Sequence, residues 1–155
     1  MPDPYVSELK YQGSALLDFV EIAVDAGTDV SSIFVTIYNA DGSVQSVNAL
    51  GTLVGTQFGQ DIYVIDMATS GTFDGLHKSS GVALEQDGTL LSFISFDNGS
   101  PITATAGIAN ASTSTQIGTA SGGKSLETTD GGATYTTQGT PTPGAIPCLC
   151  MGTMV

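Results

Sequence analysis

The sequence predicts an all-β fold, an antiparallel sandwich with an extended Pro-rich C-terminal tail. Three observations lead there. Apolar residues recur with period two along most of the chain, and helical periodicity is nearly missing. The 155 residues include 20 Thr, 16 Ser and 20 Gly, a composition of strands and turns. Turn-forming sequences separate the apolar segments at short intervals, and 41% apolar residues suffice for one core in a single domain of this length.

The elements follow in order. Residues 18–24 alternate, with Val20, Ile22 and Val24 on one face and Phe19, Glu21 and Ala23 on the other. Residues 33–38 do the same with Ile33, Val35 and Ile37. Asn39-Ala40-Asp41-Gly42 then reads as a turn, residues 43–50 return as a weaker strand, and 62–67 form a compact apolar strand. The clearest hairpin joins 82–86 to 89–96 through Asp87-Gly88, a pair suited to the positive φ angles of a tight turn. Leu90, Ile94 and Phe96 are expected on one of its faces, Leu91 and Phe93 on the other. Residues 100–123 read as a loop with one short strand near 115–119, and 125–128 and 134–137 as closing strands. Eight or nine short strands of this kind favour a sandwich, with an up-and-down barrel as the alternative. Three prolines in residues 139–147 remove backbone donors and favour an extended linker.

Charge excludes several functions. Fifteen acids stand against three lysines and no arginine, for a net charge of −12. Lys10, Lys78 and Lys124 are too few and too scattered for a phosphate backbone or an anionic lipid surface, so neither nucleic acid nor membrane insertion is expected. The N-terminal MPDPYVSELKY lacks the basic and apolar regions of a signal peptide, and no segment approaches the ~18 apolar residues of a spanning helix. A soluble chain is expected, exported, if at all, by a route without an N-terminal signal, and otherwise cytoplasmic. Both cysteines, Cys148 and Cys150, lie in the last eight residues, so the body has no disulfide framework.

The ordered motifs resemble the bacterial lamin-tail-type domain, an immunoglobulin-like sandwich. The elements carrying the likeness are Val6-Ser7-Glu8-Leu9, Phe19-Val20-Glu21-Ile22, the turn Ala26-Gly-Thr-Asp-Val-Ser31, Ile37-Tyr38-Asn39, Gly81-Val-Ala-Leu84 with Asp87-Gly88, and Ser125-Leu126-Glu127. Many members of that family have Trp where this chain has Ile33. The resemblance implies a non-enzymatic structural or binding domain over residues 1–138, delivered to the cell surface or outside the cell, with an unknown protein or surface ligand as partner.

Cys148-Leu-Cys-Met-Gly-Thr-Met-Val155 resembles the first strand of a Hint (hedgehog/intein) domain, Cys-x-x-x-Gly-Thr-x-Val. Cys148 stands at the nucleophile, with Gly152 and Thr153 at motif positions; Cys150 does not fit the spacing. The resemblance divides the chain into the sandwich, a linker over 139–147 and the start of a truncated Hint domain over 148–155, whose remainder would act in cis. In that family the cysteine thiolate attacks the preceding carbonyl, here that of Pro147, and turns the amide into a thioester. The Thr-x-x-His element that assists the step is absent here, so the fragment itself is not expected to be an enzyme.

Other features read as ordinary structure. His77 is expected in an exposed loop; Ser79 and Ser80 beside it lack the nucleophile elbow of a hydrolase. Asp18, Glu21, Asp25 and Asp29 are expected on solvated strand edges and turns, and Gly51, Gly55 and Gly59 in a turn-rich loop. Two cysteines and a distant histidine do not make a zinc site, and no calcium loop is present, so no metal or cofactor is expected. The alternative function is a stand-alone extracellular sandwich that binds carbohydrate or calcium, with incidental cysteines.

Overall fold

The computed structural model of the chain describes residues 3–96 and 100–146. It is a β-sandwich of two sheets. Among the described residues eleven strands run in order as β1 (Tyr5–Lys10), β2 (Phe19–Asp25), β3 (Ile33–Tyr38), β4 (Val44–Ala49), β5 (Leu53–Gln57), β6 (Gln60–Asp66), β7 (Gly81–Gln86), β8 (Thr89–Ser95), β9 (Thr115–Gln116), β10 (Ser125–Glu127) and β11 (Thr136–Gln138). The first sheet has the order β11-β10-β1-β2-β6-β5 and the second β4-β3-β7-β8-β9. Neighbours are antiparallel except β8 and β9, whose pairing is parallel.

The predicted alternation places the core. Val20, Ile22 and Val24 of β2 meet Ile33, Val35 and Ile37 of β3 in one apolar cluster between the sheets, all at most 1% exposed. Burying each such side chain contributes roughly 1.5–3 kcal/mol. Tyr11 and Phe96 stack at 4.3 Å in the same cluster. Asp87 and Gly88 take φ of 53° and 76°, as a two-residue turn matched to strand twist requires.

Two expectations change. A register shift between Leu84 and Glu85 pairs Leu84 with Ser92 and Glu85 with Leu90, leaving Leu91 as the extra residue of a bulge. Leu91 therefore packs with Ile94 and Phe96 against the central core, and Leu90 joins Phe93 on the outside. Period two cannot foresee an inserted residue. Similarly, the Gly51–Gly59 region contains β5, an edge strand paired with β6 through a tight turn at Phe58-Gly59.

Both outer faces are covered. Residues 100–114 fold over the second sheet and bury Tyr38, Phe93 and Ile102 in a separate cluster. Tyr38 anchors this loop: its hydroxyl donates to the Ala106 carbonyl at 2.7 Å and accepts the Ala109 N–H at 3.0 Å. Gly107 fits beside it because a Cβ there would stand 2.6 Å from the Tyr38 oxygen. The outer face of the first sheet is crossed by residues 139–146.

Candidate functional site

The outer face of the first sheet carries three carboxylates in a row. Register pairs Glu8 of β1 with Glu127 of β10 on one side and with Glu21 of β2 on the other. The three glutamates are thus direct cross-strand neighbours, an arrangement unfavourable for like charges. They are nevertheless buried: Glu8 and Glu21 are 0% exposed and Glu127 is 8%. Lys10, two residues along β1 from Glu8, turns instead to the Gln12 carbonyl at 2.6 Å and to Asp18 at 3.8 Å.

Neutral donors satisfy the row. The Ser7 hydroxyl donates to Glu21 Oε1 at 2.7 Å, that of Ser125 to Glu8 Oε2, and the Gln138 amide to Glu127 Oε1 at 3.0 Å. The remaining donors come from the tail. The Thr142 N–H lies 3.0 Å from Glu8 Oε2, its hydroxyl bridges Glu8 and Glu127, and the Gly144 N–H donates to Glu21 Oε2 at 2.6 Å. Ala23 and Ile62, which belong to neither apolar cluster, are also fully buried.

The tail sequence suits this role. Pro141 and Pro143 have no N–H to satisfy, so the donors of Thr142 and Gly144 alternate with silent positions. Pro143 and Gly144 (φ 89°) form a turn closed by the Ala145 N–H on the Thr142 carbonyl at 3.0 Å. The Ile146 N–H then reaches Gln57 Oε1 of β5 at 2.9 Å. Residues 139–146, read from sequence as a linker, are a strap laid across β10, β1 and β2 to the free edge at β5. Cys148, Gly152 and Thr153 lie outside the described residues, as does Pro147.

Burial pushes the Glu21 carboxyl up to about 7; the Ser7 and Gly144 hydrogen bonds pull it down, and the charges of Glu8 and Glu127 add to the rise. Burial also raises Glu127, with Glu8 adding to it and the Thr142 hydroxyl opposing. Tyr5, whose hydroxyl donates to Gln60, is raised by burial and by the charge of Glu21.

The expected solvation of the acids is therefore corrected at two positions. Asp29 is exposed and Asp25 half-buried, but Glu21 sits under the strap and Asp18 is 1% exposed, beside Lys10 and the Leu76 N–H. His77 is exposed in its loop, as expected. Among the described residues, no group of three or more His, Cys, Asp or Glu is placed to hold a metal ion.

Sequence reasoning took Glu21 for a surface residue and gave Glu8 and Glu127 no role of their own. The signal was present in the charge count. With three lysines in the chain, most of the fifteen acids lack a cation, so any acid alternating with core residues in a covered strand must find N–H or O–H donors. Comparisons of the chain with protein-family models, with curated proteins and with solved structures found no match.

Proposed function

We propose that this chain is a non-enzymatic structural or binding module, an immunoglobulin-like sandwich of the lamin-tail type, that leads into a Hint-type autoprocessing region in a longer, exported bacterial protein. The observation that supports this reading is the strap. It carries the chain across the sheet by hydrogen bonds to Glu8, Glu127 and Glu21, and Ile146, held by Gln57, is the residue before Pro147-Cys148. Holding Ile146 at the β5 edge restrains the chain one residue ahead of the proposed junction, which would lower the entropic cost of presenting it to a second domain.

In this reading the Cys148 sulfur bonds to the Pro147 carbonyl carbon and the Pro147–Cys148 C–N bond breaks. The thiol proton ends on the amine released at Cys148, and a thioester joins the two parts. The sandwich contributes placement, and the downstream region supplies the proton donor. Surface attachment or binding by the sandwich itself is the second half of the proposal, with a protein or surface ligand as the partner.

The test is to express the chain with the sequence that follows Val155 in its gene and measure intact masses. A product ending at Pro147, captured as the hydroxamate by hydroxylamine and lost in Cys148→Ala, is expected. A reading frame without a downstream Thr-x-x-His element, or cleavage that persists in Cys148→Ala, would refute the proposal.

A further inference from the structure

We propose that residues 139–146 are a proton-coupled latch: the strap docks on the Glu127–Glu8–Glu21 row while the row holds a proton, and leaves the sheet as the row becomes fully ionised. The inference concerns the strap alone and does not rest on the chemistry of Cys148.

Three geometric facts carry it. The carboxylates are consecutive cross-strand neighbours, so full ionisation sets three like charges side by side. They are covered by the strap, whose N–H and O–H groups contribute partial charges but no cation. The strap contributes few other attachments: the Ile146 N–H bonds Gln57, and its side chain is 6% exposed. Docking thus depends on a row in which Glu21 changes its charge near neutral pH.

The groups facing Glu21 can be named from each packed element. Glu8 and Tyr5 lie on β1, and Lys10 of that strand is engaged by Asp18. Glu127 lies on β10, and Val64 is the cross-strand partner on β6. Residues 139–146 contain no titratable side chain. None of these groups supplies a positive charge to Glu21, so protonation is the available route to neutralising the row. Ser7, which donates to Glu21 Oε1, has a hydroxyl that can turn to accept from a protonated carboxyl.

The sign follows from linkage. Undocking returns Glu21 to water and toward its ordinary 4.5, whereas docked it titrates at about 7. The docked state therefore binds the extra proton, and docking strengthens as pH falls from 7 toward 4.5. Between pH 5 and pH 8 the docking equilibrium constant should fall on the order of 50-fold from this group alone.

Amide hydrogen exchange on the full 155-residue chain tests it. Protection factors for Thr142 and Gly144, corrected for intrinsic exchange rates, should fall from pH 5 to pH 8 while those of Ile22 and Tyr63 in the sheet hold. Glu21→Gln keeps an acceptor for the Gly144 N–H and removes the charge, so its strap should stay protected at pH 8. Glu127→Gln removes one neighbouring charge, lowers the cost of ionising Glu21 under the strap, and should shrink the fall in protection between pH 5 and pH 8. Level strap protection across the range in the wild-type chain overturns the latch. So does a fall that persists unchanged in both variants.

Discussion

Replacing Tyr38 with Phe isolates the anchor that holds the 100–114 loop on the second sheet. The ring stays: it lies 5.1 Å from Phe93 at 52°, and Phe preserves that contact. What is lost is one oxygen that donates to the Ala106 carbonyl at 2.7 Å and accepts the Ala109 N–H at 3.0 Å. The two losses differ. Ala106 is exposed and its carbonyl can bond water, whereas Ala109 is 0% exposed and its N–H is stranded. A stranded buried donor costs about 1–3 kcal/mol and the exposed bond adds little, so about 2 kcal/mol is expected. With a urea m-value of about 2 kcal/mol/M for a chain of this size, the midpoint should drop by about 1 M. Urea unfolding followed by far-UV circular dichroism measures it without relying on tyrosine emission. An unchanged midpoint, with an unchanged slope, would show that the loop does not depend on this hydroxyl and would refute the anchoring argument.

Three further outcomes follow from the same physics. Glu21 titrates at about 7 in the folded chain against 4.5 when free, so its stabilising contribution is fully present below 4.5 and lost as pH rises through 7. Urea unfolding should therefore show Glu21→Gln gaining up to about 3 kcal/mol on wild type at pH 8 relative to pH 4.5, and an equal difference at both pH values would contradict it. Lys10→Met leaves Asp18 buried without its cation 3.8 Å away and should cost about 3 kcal/mol at neutral pH. Because burial already raises the Asp18 pKa, that loss should shrink as pH falls, and calorimetry in which it grew instead would reject the ion-pair account. Gly42→Ala places a Cβ 2.2 Å from the Thr103 carbonyl oxygen at a φ of 88°, so the β3–β4 turn or the 100–114 loop must move. Thermal melting should detect a large loss, of about 2–4 kcal/mol, and a melting temperature within a degree of wild type would show that the turn and loop are not in close contact.

The fold was legible where the signal was local. Val20, Ile22 and Val24, or Ile33, Val35 and Ile37, alternate because a strand with one face on a core must, and they occupy that core. The Asp87-Gly88 turn was legible from the φ angles that those residues tolerate. Leu90 and Leu91 exchanged faces because a bulge is set by how two strands twist against each other, and one strand's alternation does not record it. Strand β5 was missed because Leu53-Val-Gly-Thr-Gln57 lacks apolar alternation and has a glycine at its centre, and its pairing to β6 supplies what propensity does not.

The sequence by itself determined that this is a strand-built chain with an apolar core, short of cations for its own carboxylates. Only the tertiary structure decided where those carboxylates go. Glu8, Glu21 and Glu127 are separated by up to 119 residues, and strand register alone makes them neighbours. The tail became a strap for the same reason. Proline spacing leaves Thr142 and Gly144 with free N–H groups, but a donor's partner is fixed by what the fold places opposite it, and here that is a row of acids with no cation of its own.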